Sequence, residues 1–206
     1  MIATKPGSPP LPAIIVLAAG LSSRLGQPKA LASIHGRSLL RRSAAALAGL
    51  PPSSIHIVLP PRSPLHKLAR RQGWQCIVNP NRSRGLSSSV ACGIGRCRQA
   101  PALLFLPVDL ADMTRADLQR LLRHWRSNRR RVVARDHRGR PVTPVILPRH
   151  LYSLQHLLQG DTGLQPLIGA LLASDVRRVR LRGARIDIDT PEDLRTARQR
   201  FTLATF

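Results

Sequence analysis

Short apolar runs alternate with amphipathic segments over the first two thirds of the chain. The apolar runs are rich in leucine and β-branched residues, and they predict buried strands at 12–17, 55–59, 74–78 and 102–106. Polar caps, prolines and glycines delimit helices at 38–50, 64–71, 88–98 and 115–125. Because strands that alternate with helices form parallel sheets, this order predicts an α/β fold with a doubly wound, mostly parallel sheet flanked by helices.

The last third of the chain has a less regular pattern. It predicts strands at 131–134 and 142–147, extended segments at 176–181 and 185–188, and helices near 148–158 and 162–172. A last helix opens at Thr190-Pro191-Glu192-Asp193, where proline takes the first position and the acids fall in the first turn. No internal repeat interrupts this order, which is consistent with a single domain.

The length of 206 residues also favours one domain. We assign the proline-rich residues 1–11 to a flexible N-terminal lead and residues 12–206 to the domain. No apolar run approaches the ~20 residues of a membrane span, and the lead lacks the segments of a signal peptide. We therefore expect a cytoplasmic protein without a membrane partner. The three cysteines form no Cys-x-x-Cys pair, and we expect reduced thiols that bind no metal.

The formal charge is +23, from 33 basic and ten acidic residues. Such a field attracts polyanions, but the arginines are spread over the whole chain. The two local clusters, 123–131 and 177–185, are not interleaved with aromatic residues. A nucleic-acid partner is therefore not expected. A non-catalytic basic protein that binds nucleic acid or chaperones a cofactor remains the alternative of another class.

The loop after the first strand has the composition of a phosphate cradle. Leu17-Ala18-Ala19-Gly20 carries almost no side chains, so backbone N–H groups could approach an anion closely, and Arg24 and Lys29 follow. The loop has no Walker pattern, because Gln27-Pro28 separates Gly26 from Lys29, and it has no Gly-x-Gly-x-x-Gly. The loop alone fits many nucleotide-binding proteins.

Three acidic residues, at two places in the sequence, are candidate metal ligands in a chain so poor in acids. Asp109 follows the strand 102–106, and its carboxylate is expected at the edge of the sheet where the loop at Gly20 also lies. Asp187 and Asp189 alternate on one face of an extended segment. A helix-cap or turn role remains open for each of them. The polar loop 79–89 could hold a nucleotide at a helix start, or could be a plain surface loop.

Five motifs, in order, resemble those of the molybdenum-cofactor nucleotidyltransferase family over about residues 13–200. Residues 17–29 fit its pattern LAAGxSxRxGxxK. The other four are the segment Gly85-x-Ser87-x-Ser89-x-x-x-Gly93, Gly139 with Pro144-Val145, Gly160-Asp161-Thr162-Gly163, and Asp187-Ile188-Asp189-Thr190-Pro191-Glu192-Asp193.

The resemblance implies a Rossmann-like nucleotidyltransferase fold and an Mg²⁺-dependent transfer of CMP from CTP to a molybdopterin-type cofactor, with release of pyrophosphate. It implies catalytic roles for Arg24, Lys29 and Asp109, and metal binding by Asp109 and Asp189. The nucleotide-binding residues that it implies are Leu17, Ala18, Ala19, Gly20, Arg24, Lys29, Gly85, Ser87 and Ser89. The implied partners are CTP or another nucleoside triphosphate, the cofactor, and a molybdoenzyme or its chaperone.

Six positions are informative when the chain is compared with the family pattern. Ala19 favours the cytidylyl branch, because guanylyl relatives usually carry glycine there. The chain departs from the family at Leu25 (usually Met), at Leu110-Ala111 (usually Gln-Pro), at Thr143 (usually His) and at Gln165 (usually Arg). The last two are expected on the acceptor side. Guanylyl transfer, or transfer to a sugar or polyol phosphate, therefore remains an alternative.

Overall fold

The computed structural model describes residues 10–203, so residues 1–9 of the assigned lead lie outside the described residues. Leu11, at the end of that lead, packs against the core. The strands are β1 Ala13–Leu17, β2 Ser33–Ile34, β3 Arg37–Ser38, β4 Ile55–Leu59, β5 Gln75–Val78, β6 Ala102–Pro107, β7 Val132–His137, β8 Arg140–Pro148 and β9 Val176–Val179. The helices are α1 Leu39–Leu47, α2 Leu65–Arg71, α3 Leu86–Arg96, α4 Arg115–Ser127, α5 Gln165–Gly169 and α6 Pro191–Leu203.

Seven strands form one sheet in the order β5-β4-β1-β6-β8-β7-β9, and β2 pairs with β3 in a separate antiparallel ribbon. Among the described strands of the large sheet, β8 alone runs against its neighbours. The predicted single-domain, mostly parallel α/β fold is confirmed. Because β1 and β6 are parallel neighbours with Leu17 opposite Pro107, both end at the same edge of the sheet.

Alternate residues of the central strands bury both faces of the sheet, as a parallel sheet requires. On one face, Ile14 and Val16 of β1 lie in a cluster with α1, α4 and α6. On the other face, Ile15 and Leu17 lie in a second cluster with α3 and α5. Both clusters reach β1, and its last residues therefore have little freedom to move.

Several predicted elements of the last third are shorter than expected. The helix predicted near 148–158 is a 3-10 helix, Arg149–Leu157, and the helix predicted near 162–172 is confined to α5. Pro166 and the positive-φ residues Gly160 and Gly163 limit the second of these. The segment predicted as extended at 185–188 is not one of the strands of the sheet, and Asp187 makes an isolated antiparallel bridge with Leu110.

Two carboxylates replace a strand partner for the segment before Asp187. Asp112 accepts hydrogen bonds from the amides of Arg185 at 2.9 Å and Ile186 at 3.0 Å. Asp117, which closes the capping box of α4 with Thr114, also accepts from the amides of residues 182 and 183 at 2.9 and 3.2 Å. These bonds fix residues 182–186 beside the loop that follows β6.

The longest described helices, α4 and α6, have 13 residues each. Within residues 10–203, no helix combines the length and apolar character needed to cross a membrane.

We expect Gly183→Ala to destabilise the protein. A Cβ at residue 183 would lie 2.1 Å from the carbonyl oxygen of Asp112 and 2.6 Å from Oδ2 of Asp117. The hydrogen bonds that these two residues make with residues 182–186 must therefore shift. The expected loss of unfolding free energy is about 1–3 kcal/mol, measured by urea unfolding. Gly95→Ala is the control, because nothing lies within 4 Å of its Cβ position in α3. It should stabilise the protein by about 0.5–1 kcal/mol. Equal effects of the two changes would show that the close contacts at residue 183 do not matter for stability.

Candidate active site

The candidate active site lies where β1 and β6 end. The amide of Ala18 still donates to the carbonyl of Val58 at 3.1 Å, and the amide of Val108 donates to the carbonyl of Leu17 at 3.1 Å. The loop after β1 and the residue Asp109 after β6 therefore start side by side. This is the edge at which open α/β sheets bind ligands.

An ammonium group joins two of the predicted site carboxylates. Nζ of Lys29 lies 2.8 Å from Oδ2 of Asp109 and also makes a short contact with Oδ1 of Asp189. A guanidinium nitrogen of Arg24 lies 3.8 Å from Oδ2 of Asp189. The structure thus brings together Arg24, Lys29, Asp109 and Asp189. The side chains of Lys29 and Asp109 are only 20% and 21% exposed, so solvent screens this pair incompletely.

The ion pairs outweigh the effect of burial on Lys29. Burial alone would lower the pKa of the ammonium, but the charges and hydrogen bonds of Asp109 and Asp189 raise it above its ordinary value. Lys29 therefore stays charged in the site. A permanently charged ammonium is what a polyphosphate ligand would require.

Ser22 holds the loop that presents Lys29. Its carbonyl accepts from the amides of Leu25 and Gly26 at 3.1 Å each, and its hydroxyl accepts from the amide of Lys29 at 3.1 Å. Ser22 adopts φ +54°, a left-handed conformation that a residue other than glycine rarely takes. The serine therefore folds the loop back so that Lys29 points to the end of β6.

The loop offers a row of unpaired backbone donors. Within residues 10–203, the amides of residues 19–24 donate to no acceptor. Ala19 is buried, but Gly20 is exposed, and a Cβ at Gly20 would meet nothing within 4 Å. The fold itself does not need glycine at position 20. Unpaired amides beside open space and two cations are the features that an anion-binding site requires.

The short acidic segment after residue 186 is fixed by backbone bonds. The amide of Ile188 donates to the carbonyl of Asp109 at 3.1 Å, and Ile188 is buried. The carboxylate of Asp193 accepts from the amides of Asp189 at 3.0 Å and Thr190 at 2.8 Å. Hydrogen bonding, first from the Thr190 side chain, lowers the pKa of Asp193. Asp193 therefore caps α6, while Asp189 points to Lys29.

Arg135 on β7 is a charged neighbour of the site that the sequence analysis missed. A terminal nitrogen of its guanidinium, Nη2, lies 3.7 Å from Oδ2 of Asp187. Burial raises the pKa of Asp187, an effect that Arg135 opposes and that the carboxylates of Asp109 and Asp189 add to. The one available signal was an arginine that directly follows the apolar run Val132-Val133-Ala134.

The predicted binding residues at the start of α3 have partners within the protein. The hydroxyl of Ser87 donates to the carbonyl of Gln159 at 2.8 Å, and the hydroxyl of Ser89 accepts from the side chain of Asn79 at 3.0 Å. Gly85 has φ +89°, and a Cβ there would lie 2.4 Å from the backbone of Gly160. These contacts tie α3 to the loop at Gly160. Nucleotide binding by Gly85, Ser87 and Ser89 stays a prediction.

The departures from the family pattern divide into buried and exposed positions. Leu25, Leu110 and Ala111 are buried in the core, so these three departures change packing and not the charge of the site. Gln165 is exposed, and its amide donates to the carbonyl of Pro141 at 2.8 Å, beside Thr143 on β8. Thr143 is half-buried, so neither of these two departures belongs to the buried core.

Asp109 and Asp189 have the chemistry of a magnesium site. Both carboxylates already contact one small cation, the ammonium of Lys29. Mg²⁺ prefers oxygen ligands and is commonly held by one or two carboxylates together with substrate phosphates. Within the described residues no group of three acidic, histidine or cysteine side chains could hold a metal. This pair therefore fits a metal that arrives with a phosphate ligand, and it does not form a closed metal centre.

A family model described as "MobA-like NTP transferase domain" matches residues 14–176, which include the cradle loop and Asp109. The chain belongs to the MobA-like NTP transferase family. It is therefore a member of a nucleotidyltransferase family, as the motifs predict.

Named relatives and a solved structure are similar over much of the chain. The molybdenum cofactor cytidylyltransferase of Escherichia coli (strain K12) is 26% identical over 191 residues, 91% of this chain and 96% of that protein. The molybdenum cofactor guanylyltransferase of Xanthomonas euvesicatoria pv. vesicatoria (strain 85-10) is 32% identical over 108 residues, 52% of each protein. The crystal structure of the Mycobacterium tuberculosis rv0371c homolog from Mycobacterium sp. strain JC1 has a TM-score of 0.74 at 22% identity, covering 93% of this chain and 96% of that one. This last likeness shows the fold.

Proposed function

We propose that the protein transfers CMP from CTP to the terminal phosphate of a molybdopterin-type cofactor. The observation that carries the proposal is the ammonium of Lys29, which contacts Asp109 and Asp189 beside the unpaired amides of residues 19–24. A nucleotide polyphosphate needs the amides and the cations, and a divalent metal needs the two carboxylates. The similarity to a cytidylyltransferase over 91% of the chain supports this acceptor and this nucleotide.

The reaction requires positioning and charge stabilisation rather than a protein nucleophile. An oxygen of the acceptor phosphate forms a bond to the α-phosphorus of CTP, and the bond from that phosphorus to the bridging oxygen of the β-phosphate breaks. The electron pair leaves with pyrophosphate. The acceptor phosphate is already an anionic nucleophile, so the protein needs no general base.

The residues of the chain divide the work by charge. The amides of residues 19–24 hold the phosphates, while Arg24 and Lys29 neutralise the negative charge that develops on pyrophosphate. Asp109 and Asp189 would hold Mg²⁺, which supplies Lewis-acid polarisation of the α-phosphate when bound. Asp193 and the backbone bond from Ile188 to Asp109 keep Asp189 in place for this role.

Lys29 has two successive sets of partners in this proposal. Without nucleotide, its ammonium neutralises Asp109 and Asp189, which would otherwise repel each other. When the polyphosphate enters, the ammonium turns to the phosphate oxygens and leaves both carboxylates free to bind a metal. The same side chain therefore makes metal binding depend on the nucleotide.

Nucleotide choice rests on a narrower basis. Ala19 stands at the start of the cradle, where guanylyl relatives usually carry glycine, and this difference favours cytidylyl transfer. Guanylyl transfer is the second candidate, because the guanylyltransferase relative is 32% identical over half of the chain. Product analysis with CTP and GTP, offered with molybdenum cofactor or with sugar and polyol phosphates, separates these candidates.

We expect Lys29→Ala and Asp109→Ala each to lower turnover by at least about 100-fold, because each change removes a charge that acts on the transferred phosphates. The measurement is pyrophosphate release from CTP with molybdenum cofactor and Mg²⁺. Lys67→Ala on α2 is the control, because it removes an exposed lysine and should leave the rate unchanged. Full activity of both site variants would refute the assigned roles.

We expect Gly20→Val to weaken CTP binding at least tenfold, because the new side chain fills the open space beside the unpaired amides. The unfolding free energy should stay within about 0.5 kcal/mol of the wild type, since a Cβ at Gly20 meets nothing within 4 Å. Calorimetric titration and urea unfolding measure the two effects, and Gly20→Ala should show a smaller loss of affinity. Unchanged affinity would place the nucleotide elsewhere.

We expect Lys29→Met to bind Mn²⁺ without nucleotide at least tenfold more tightly than the wild type, because it leaves Asp109 and Asp189 without their counter-ion. Electron paramagnetic resonance of free Mn²⁺ measures the affinity. The wild type should bind Mn²⁺ weakly alone and tightly with CTP, and Lys67→Met should behave like the wild type. Equal affinity of Lys29→Met and wild type, both without nucleotide, would contradict the change of partners.

A further inference from the structure

Arg135 is an exception among the arginines of this chain. Its residue is only 7% exposed, whereas the other arginines of residues 10–203 are at least partly open to solvent. It lies at an irregularity of the sheet, where β7 pairs Ala134 with Val145 but Arg135 with Val142. Thr143 and Pro144 are the extra residues of β8. Such bulges occur beside active sites and redirect the neighbouring side chain.

The guanidinium is incompletely satisfied where it lies. Nε and Nη1 are buried and have no hydrogen-bond partner in the described part of the chain. The remaining nitrogen, Nη2, faces Asp187 at 3.7 Å, too far for a hydrogen bond. A buried charge with unpaired donors costs stability, and an apolar residue of similar size would serve the core better. Packing therefore does not explain why arginine occupies this position.

Asp187 links Arg135 to the carboxylates of the site. Its backbone bridges to Leu110, the residue after Asp109, and it precedes Asp189 by two residues. Asp112, in the loop after β6, accepts hydrogen bonds from the amides of residues 185 and 186 on one side of Asp187. Arg135 contacts this segment from the opposite side, from strand β7. Loss of its charge would leave Asp187 held from one side.

We propose that Arg135 is a positioning residue, whose guanidinium holds the carboxylate of Asp187 so that the adjacent segment presents Asp189 next to Asp109. This inference rests on the proposed function, because it takes Asp109 and Asp189 to be the metal-binding pair. Arg135 does not touch the reacting phosphates. Its burial costs stability, but its contact with Asp187 fixes the geometry of Asp189, two residues further along the chain.

The test compares Arg135→Met with Arg180→Met. Arg180 is the matched control, because its guanidinium also lies 3.7 Å from a carboxylate, that of Asp136, but its side chain is 90% exposed. The measurements are Mn²⁺ affinity by electron paramagnetic resonance in the presence of CTP, and thermal unfolding without ligands. Two further variants support the test. Arg135→Lys keeps the charge, and Asp187→Asn removes the charge of the partner, whose side chain is 46% exposed.

We expect Arg135→Met to lower Mn²⁺ affinity about 10- to 100-fold, as changes in residues that orient metal ligands do. Its melting temperature should be unchanged or higher, because the half-exposed carboxylate of Asp187 is left in water rather than buried without a partner. Asp187→Asn should show the same loss of affinity, Arg135→Lys a smaller one, and Arg180→Met none. A merely structural arginine would instead lower the melting temperature and leave the affinity of the folded protein unchanged.

The outcomes separate this inference from the function beneath it. If the wild type binds Mn²⁺ with CTP and Arg135→Met binds it equally well, the positioning role is wrong and the proposed function stands. If the wild type binds no Mn²⁺ with either CTP or GTP, the metal-dependent function fails, and the inference fails with it. Should Arg135→Met not fold, Asp187→Asn decides the question alone, since an unchanged affinity in that variant overturns the proposal.

Discussion

The contact of the Lys29 ammonium with Asp109 and Asp189 joins three parts of the chain that are remote in sequence. Two carboxylates so close together repel each other, and a partly buried ammonium needs more than one acceptor. The ammonium therefore offsets the repulsion between the carboxylates, and the carboxylates stabilise the partly buried ammonium. The loop after β1, the end of β6 and the segment before α6 must all reach one point for this to happen, and the parallel alignment of β1 with β6 brings the first two there.

A second layer of carboxylates supports the first. Asp112, Asp117 and Asp193 accept hydrogen bonds from backbone amides of the segment that carries Asp189. Their bonds act together with the backbone bonds that join residues 186 and 188 to Ala111 and Asp109. A site held by side-chain bonds on a short segment can be rigid without belonging to the sheet, which is what a functional carboxylate requires. The acids of this chain therefore serve position as well as chemistry.

The sequence predicts the central sheet and the placement of the loop after β1 at the same sheet edge as Asp109, because both follow from local patterns. Four apolar runs become four parallel strands, and parallel strands bring their ends to one edge. Arg135 escaped prediction because its burial depends on the pairing of β7 with β8 and β9 and on a bulge, which are non-local. Periodicity predicts an extended segment at 185–188, but it cannot show that a side chain, that of Asp112, accepts the amides of Arg185 and Ile186.

The distribution of charge along the chain explains why the site lies where it does. Every Asp and Glu lies at or after position 109, so the first half of the domain brings only cations to the edge of the sheet. Arg24 and Lys29 come from this half, and Asp109, Asp187 and Asp189 come from the other. In a protein of charge +23, carboxylates at the site do more than bind: they hold cations inward that would otherwise repel one another. In the proposed function a polyphosphate competes with the carboxylates for those cations, and a divalent metal held by the carboxylates would offset part of the negative charge that the polyphosphate adds.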